Sequence, residues 1–193
     1  MKIIAHIYTD FPEKFGIPRQ SGIVEETIGK IVLEKKYQVP EAFRGLEDFS
    51  HIWILWKFSK AEREEWSPTV RPPLLGGNKR MGVFATRSPF RPNPIGLSSV
   101  RLLGIEKTSQ GCVLRIRGAD LMDGTPIYDI KPYVPYADCM TDATGGYTDK
   151  KKWRLLDVIF PKHLQTTLSE SDVKTIIAAL QQDPRPHYHS DET

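Results

Sequence analysis

The chain contains 193 residues, of which 39% are hydrophobic and 26% are charged, a composition typical of a globular protein with one main core. The net charge of +3 is too small to establish nucleic-acid binding by itself. No apolar run approaches the roughly 20 residues of a membrane-spanning helix, and the N-terminal apolar segment is too short for a signal peptide. We therefore expect a cytoplasmic protein.

Three segments in the first third of the chain predict β-strands. Residues 2–9, 23–33 and 50–58 are rich in β-branched and aromatic side chains. The third segment, SHIWILWKF, holds two tryptophans and two isoleucines, which predicts a strand buried on both faces. Residues 41–48 predict a short helix that is weakened by Gly45.

The stretch MGVFATRSPFRPNPIGLSSVRLL, residues 81–103, is the centre around which we expect the chain to be organised. It predicts short strands at 83–85 and 97–103, joined by a loop that three prolines stiffen. The same loop carries Arg87 and Arg91. It is either a rigid surface connection with solvated arginines or a preorganised pocket wall in which a guanidinium pairs with a carboxylate or phosphate.

The remainder of the chain continues the β pattern and ends in a helix. Residues 111–117 alternate between apolar and polar, Asp123-Gly124 predicts a turn, and 127–130 and 153–160 predict strands. The polar residues 138–152 predict a mobile loop. Ser169 or Ser171 is the expected N-cap of a helix with one apolar face.

The sum of these elements is a mainly β protein. No alternation of strands and helices predicts a doubly wound parallel sheet, so a β-barrel or a β-sandwich is favoured. We expect a barrel domain over residues 1–160 and a short helical segment with a frayed tail over 161–193.

Four loops combine proline or glycine with polar side chains, namely 18–20, 76–78, 87–94 and 121–131. Gathered at one barrel mouth, they would offer guanidinium, amide and backbone donors to a polar ligand. Asp123 and Asp129 could supply carboxylates to an ammonium, a sulfonium or a ribose hydroxyl. Asp123 could equally be a turn former and Arg19 a solvated loop arginine.

Other reaction classes lack the residues that they need. The sequence has no Ser-His-Asp spacing, no HExxH and no phosphate-binding P-loop, so hydrolases and NTPases have no support. Cys112 and Cys139 stand apart without neighbouring ligands, so neither a metal site nor a disulfide framework is indicated.

Four separated segments make the sequence recognisable. PRQSG, GLEDFSHIWIL, RPPLLGGNKRMGVFATRSPFRPNPIGLS and DLMDGTPIYDIKPYVPYAD resemble the TrmO/TsaA family of tRNA N6-methyltransferases, which use S-adenosylmethionine. The resemblance covers residues 2–160 in order, and DPRPHY resembles the C-terminal signature of the family. It implies a single-sheeted β-barrel and a homodimer. It also implies methylation of threonylcarbamoyladenosine at position 37 of threonine tRNAs. Relatives continue beyond DPRPHY, so tRNA contacts made there cannot be carried over.

The resemblance also implies which residues contact the cofactor. Many relatives carry histidine at the position of Ser59. The implied contacts are Pro18, Arg19, Gln20, Ser59, Lys60, Arg87, Leu97, Leu121, Met122, Asp123, Gly124 and Thr125.

Methyl transfer to the ureido N6 requires alignment with the sulfonium methyl and loss of a proton, so a general base or an anion-stabilising group is expected. The candidates are Asp129, Lys131, Tyr128 and His51, and the last could equally be a hydrogen-bonded core histidine. We hypothesise that Asp129 or Lys131 lies nearest the target base, because this segment directly follows the cofactor turn. The cations assigned to tRNA phosphates are Lys79, Arg80, Arg91 and Arg101.

Two alternatives remain open at the level of sequence. The first is a non-catalytic β-barrel that binds single-stranded RNA, with Trp56 and Tyr133 stacking on bases. The second is a methyltransferase of the same fold with a different substrate.

Overall fold

The computed structural model describes residues 1–14, 16–60, 65–109, 111–150 and 154–183. Within these ranges, the strands are β1 Ala5–Thr9, β2 Ile28–Leu33, β3 His51–Lys57, β4 Thr69–Val70, β5 Met81–Gly82, β6 Ile95–Thr108, β7 Gly111–Arg117 and β8 Thr125–Pro132. Six antiparallel strands close into a barrel in the order β1-β2-β7-β6-β3-β8, and β4 pairs with β5 in a separate two-stranded sheet. The prediction of a mainly β, single-sheeted barrel is confirmed.

The helices are short except for the last. The α-helices are α1 Pro135–Asp138, α2 Tyr147–Lys150, α3 Lys162–Gln165 and α4 Glu170–Gln181, and 3₁₀ helices cover Lys35–Tyr37, Pro40–Phe43, Leu46–Asp48, Pro73–Leu75 and Val83–Ala85. Ser169 caps α4 as predicted, because its Oγ accepts the backbone N–H of Asp172 at 3.1 Å. None of the described helices is long and apolar enough to cross a bilayer.

The hydrophobic core fills the interior of the barrel. Ile7, Ile31, Ile54, Leu114 and Ile127 have no exposed surface, and each is the inward residue of an alternating strand. Along β3 burial alternates, so the prediction of a strand buried on both faces is wrong. A closed barrel has one interior, and the intervening Trp53 and Leu55 remain half-buried on its outer wall.

Two predicted strands are absent. Val83–Ala85 is a 3₁₀ helix whose first N–H donates to Pro68 O at 3.0 Å. Residues 154–160 form no strand, and residue 153 lies outside the described ranges. Every barrel strand already has two neighbours, so the barrel offers no free edge with which this apolar segment could pair. Instead, the N–H of Leu156 donates to the carbonyl of Gln181 at the end of α4.

Two further local predictions need correction. The helix expected over 41–48 is split into two 3₁₀ turns by Gly45, which has a φ of 83°. The segment 138–152, predicted as a loop, contains α2, and its residues 151–152 lie outside the described ranges. The tail from residue 184 onward, with DPRPHY, also lies outside them.

The antiparallel topology collects three connections at one end of the barrel, which we call the loop end. Lys57 at the end of β3 pairs with Ile95 at the start of β6, and Trp56 pairs with Ile127 near the start of β8. The β3–β6 connection and the β7–β8 connection therefore meet there. The β1–β2 connection joins them, because the N–H of Thr9 donates to Asp123 Oδ1 at 3.0 Å.

Trp56 closes the core beneath the loop end. Its indole lies against Gly96, where an added Cβ would come within 2.2 Å of Trp56 Cε2. The indole Nε1–H donates to the hydroxyl of Ser98 at 2.9 Å, and the ring packs on Phe58 with centroids 4.2 Å apart. Only glycine at position 96 permits this packing.

We predict that Gly96→Ala lowers the free energy of unfolding by about 1–3 kcal/mol or more, because the indole must leave its place. Urea unfolding measures the change. Gly82→Ala is the matched control, since Gly82 has an ordinary φ of −58° and a Cβ added there would have no neighbouring atom within 4 Å. Equal losses in the two variants would contradict the packing role of Gly96.

Candidate active site at the loop end

The loop end brings the predicted cofactor positions together. Residues 18–20 lie in the β1–β2 connection, 59–60 and Arg87 in the β3–β6 connection, and Leu97 is the third residue of β6. Residues 121–124 lie in the β7–β8 connection, which covers 118–124, and Thr125 opens β8. The loop 76–78 belongs to the β3–β6 connection as well. Of the predicted polar loop 121–131, only 121–124 lies in a connection, and 125–131 belongs to strand β8.

These positions differ in what they expose to a ligand. Pro18, Leu121 and Thr125 are buried, so their side chains offer little surface to a ligand. Ser59 and Met122 are half-buried. The exposed positions are Lys60, Arg87, Leu97, Asp123 and Gly124.

The Asp123-Gly124 turn is fixed to β1 by backbone hydrogen bonds. The N–H of Asp123 donates to Phe11 O and the N–H of Gly124 donates to Ile7 O, both at 2.8 Å. The Asp123 carboxylate accepts from Thr9, and Thr9 Oγ1 donates to Leu121 O at 3.0 Å. Asp123 therefore has a turn-forming role, and the turn is rigid before any ligand arrives.

The two arginines of the proline-rich loop have different surroundings. Arg91 is half-buried, and its Nη1 donates to Thr86 O at 2.7 Å and to Ser88 O at 3.4 Å, which holds the loop in shape. Arg87 is exposed and donates to the side-chain oxygen of Gln20. The loop is thus a preorganised wall that Arg91 stiffens and from which Arg87 presents a guanidinium.

Arg19 contacts the C-terminal helix. Its Nε donates to Gln182 O at 3.2 Å and its Nη2 to Asp183 O at 2.6 Å, just beyond the end of α4. Burial lowers the pKa of the Arg19 guanidinium, and the nearby Asp183 carboxylate opposes that shift. A cation at the C-terminal end of a helix is favoured by the helix dipole. Arg19 is therefore not a simple solvated loop arginine.

Asp120 is a site residue that the sequence analysis missed. Its Oδ1 accepts from Ser98 Oγ at 2.6 Å, and Ser98 in turn accepts from Trp56. Burial raises the pKa of the Asp120 carboxyl to about 6, against the opposing effects of Ser98, the Ser21 backbone and the positive charge of Arg87. A partly buried carboxylate thus lies near the exposed guanidinium of Arg87. Its position in the DLMDG segment, three residues before Asp123, was the signal available in the sequence.

The candidate bases lie on the outer wall of the barrel. Asp129 pairs with Leu55, which pairs with Leu97, so two strand spacings of roughly 10 Å in total separate Asp129 from Leu97. Lys131 lies two residues farther from the loop end and forms an ion pair with Asp129 at 2.9 Å. Tyr128 occupies the bulge between the pairs made by Leu55 and Trp56.

His51 lies at the far end of β3, roughly 20 Å from Lys57 at the strand's rise per residue. The His51 side chain is half-buried. Its Nδ1 lies 2.9 Å from Ser50 Oγ, and its ring contacts the Tyr133 ring edge-on. These contacts support the interpretation of His51 as a hydrogen-bonded residue of the barrel wall, away from the loop end.

A cleft of about 1630 Å³ opens beside the loop end, and we call it the loop-end cleft. It lies between the β1–β2 connection, residues 67–74, residues 80–90 and residues 145–148. Arg19, Gln20, Arg80 and Arg87 line it. Its volume exceeds the few hundred Å³ typical of a single small ligand, so it can hold a ligand together with part of a larger substrate.

The other cations predicted to contact phosphates are placed elsewhere. Lys79 is exposed next to Arg80, and Arg101 is exposed on the barrel wall, paired with His51 and Arg117. In the part of the chain that the structure describes, no cluster of three or more His, Cys, Asp or Glu side chains could hold a metal ion.

Residues 6–139 match the family model described as the tRNA-methyltransferase O N-terminal domain. The chain belongs to the tRNA-methyltransferase O family. The family resemblance inferred from the sequence motifs is thereby confirmed.

Individual relatives extend the match over the whole chain. The tRNA (adenine(37)-N6)-methyltransferase of Escherichia coli is 43% identical over 195 residues, covering 98% of this chain and 83% of the relative. A putative S-adenosylmethionine-dependent methyltransferase, RcsF of Pseudomonas aeruginosa, is 42% identical with the same coverage. The crystal structure of TrmO from P. aeruginosa superposes with a TM-score of 0.74 at 38% identity, covering 95% of this chain and 80% of that chain.

The raised pKa of Asp120 predicts a pH-dependent stability. Because the folded pKa lies above the unfolded value of 3.8, the folded protein binds this proton more tightly. The resulting stabilisation is complete below the unfolded pKa and is lost as the pH rises through about 6. Relative to Asp120→Asn, wild type should therefore lose about 2 kcal/mol of unfolding free energy between about pH 4.5 and 7.5.

Urea unfolding of both proteins at the two pH values gives this difference. Asp142→Asn, which changes an exposed aspartate between α1 and α2, is the control and should track wild type at both pH values. A constant difference between wild type and Asp120→Asn would show that Asp120 titrates normally.

Proposed function

We propose that this protein is an S-adenosylmethionine-dependent methyltransferase that methylates N6 of adenine 37 in tRNA. The observation that carries the proposal is the match to the tRNA-methyltransferase O family, with 43% identity over 98% of the chain to the E. coli enzyme of that activity. The finer substrate, threonylcarbamoyladenosine in threonine tRNAs, is part of the same proposal.

The residues at the loop end fit the cofactor chemically. The exposed Arg87 guanidinium suits the carboxylate of the methionine moiety, and the carboxylates of Asp120 and Asp123 suit its ammonium and sulfonium groups. Leu97, which is 51% exposed, offers an apolar surface for the adenine ring. When bound, S-adenosylmethionine supplies the methyl group as an electrophile. The rigid turn and the proline-stiffened wall fix its surroundings in advance.

The protein must also remove a proton from N6 of the substrate. Asp129 is our favoured base, because it lies in line with Leu97 across β3 while Lys131 lies farther along β8. Its ion pair with Lys131 is solvent-exposed and is therefore weak, so a substrate can displace it. Lys131 released in this way can stabilise the developing anion.

The assembly and location belong to the proposal too. We expect a homodimer, and the exposed apolar side chains of Leu103, Tyr136 and Met140 supply surface that a second copy can cover. Sedimentation equilibrium measures the mass, and a monomer at all concentrations would reject the dimer.

The two free cysteines suit the expected reducing cytoplasm. A catalytic unit over 1–160 with a helical segment over 161–193 remains our division of the chain.

The test is methyl transfer from labelled S-adenosylmethionine to two threonine tRNA samples, with and without threonylcarbamoyladenosine. Incorporation into the modified tRNA alone is the expected result. Incorporation into neither, with calorimetric binding of the cofactor, would favour a methyltransferase with another substrate. The absence of both would favour the non-catalytic RNA-binding barrel. The structure argues against this last alternative. Trp56 is 8% exposed and hydrogen-bonded inside the barrel, so the predicted stacking of Trp56 on a base is wrong.

We predict that Asp129→Asn lowers kcat by about 10²- to 10⁴-fold, as for loss of a general base, with an unchanged dissociation constant for S-adenosylmethionine. Single-turnover methylation and calorimetry measure the two quantities. Lys131→Met should lower kcat less, because it leaves the carboxylate in place. Asp48→Asn, at the opposite end of the barrel, is the control. Normal turnover in both Asp129→Asn and Lys131→Met would remove this pair from the mechanism.

A further inference from the structure

The charged residues in the described lining of the loop-end cleft all have one sign. Among the described residues that line it, Lys14, Arg19, Arg71, Arg80 and Arg87 are basic and none is acidic. S-adenosylmethionine carries a sulfonium and an ammonium against one carboxylate, so its net charge is positive. Arg87 suits that carboxylate, but the other cations of the lining have no further anionic group of the cofactor to pair with. The lining around Arg71 and Arg80 therefore suits a different, anionic ligand.

Two of these arginines sit side by side at the outer wall of the cleft. Val70 pairs with Met81 as the last register pair of β4 and β5, and Arg71 and Arg80 directly follow and precede these residues. Both side chains are exposed, and Arg80 donates to Thr69 Oγ1 at 3.0 Å. Like charges opposite each other in a β-ladder are unfavourable. An anion bound between them would relieve that repulsion.

An aromatic pair stands beside the same arginines. Phe84 lines the cleft, is 73% exposed and stacks on Trp66, which is 49% exposed, with ring centroids 6.1 Å apart and planes 26° apart. Phe84 follows the buried Val83 in the chain, and the guanidinium of Arg91 lies 5.9 Å from the centroid of the Phe84 ring. A rigid, exposed aromatic face next to paired arginines is the combination that binds single-stranded nucleic acid.

We propose that Arg71, Arg80 and the Phe84–Trp66 pair bind the anticodon-loop nucleotides that flank the target adenosine. The arginines contact the phosphates, and Phe84 stacks on a base. This proposal rests on the proposed tRNA substrate. Arg71, Arg80 and Phe84 line the same 1630 Å³ cleft as Arg87, so RNA bound at this wall lies in the cleft to which the cofactor-binding guanidinium is exposed.

The test is fluorescence anisotropy of a labelled anticodon stem-loop RNA over a salt series. Arg71→Ala with Arg80→Ala should weaken binding and reduce the slope of log K against log salt by about 0.7 for each lost phosphate contact. Phe84→Ala and Phe84→Leu should weaken binding by roughly 5- to 100-fold without changing the slope, because each lacks only the stacking ring. The dissociation constant for S-adenosylmethionine should not change in any of these variants.

The control is Arg44→Ala, an exposed arginine between two 3₁₀ turns at the opposite end of the barrel. If the Arg71, Arg80 and Phe84 variants bind the RNA as this control does, the proposed RNA site is wrong while the methyltransferase proposal stands. Methylation by wild type is measured separately. Its failure would reject the proposed function, and the anisotropy series would still decide whether this wall binds RNA.

Discussion

The closure of the sheet by β8 is the constraint on which the rest of the structure depends. β8 pairs with β1 on one side and with β3 on the other, so each of the six barrel strands has two hydrogen-bonded neighbours. Closure leaves one interior for the apolar side chains and no free edge for other segments. It also fixes which connections meet, because the ends of β1, β3 and β7 lie together at the loop end.

A short chain of hydrogen bonds connects the packed core to the polar residues of the loop end. Trp56 fills the barrel against Gly96, donates to Ser98, and Ser98 donates to Asp120. The carboxylate that lies near Arg87 is thereby held by side chains that the core has already fixed. Packing of the core thus fixes the position of this carboxylate before a ligand binds, which is the condition for a preorganised site.

Sequence reasoning identified most of the barrel because the composition of a strand, and in β7 its alternation, are local properties. All six barrel strands overlap predicted segments, and the sheet order then placed the loops 18–20, 76–78 and 87–94 and the start of 121–131 in connections at one end. The apolar residues 83–85 and 154–160 also looked like strands, but pairing depends on a partner elsewhere in the chain. Asp120 was missed for the same reason, because its burial depends on Ser98 and Trp56. The contact of Arg19 with Gln182 spans 163 residues and leaves no local pattern.

The contact of Arg19 with the end of α4 makes the C-terminal helix and the β1–β2 connection thermodynamically linked. The two carbonyls that Arg19 satisfies belong to Gln182 and Asp183, while its neighbours Pro18 and Gln20 lie at the loop end. A ligand that draws the guanidinium away must leave those carbonyls without this donor, and a partner that tightens the helix end must restrain the loop. Linkage of this kind is reciprocal. Binding of a ligand at the loop end therefore changes the stability of the end of α4, and a change at the end of α4 alters the affinity of the loop end for that ligand.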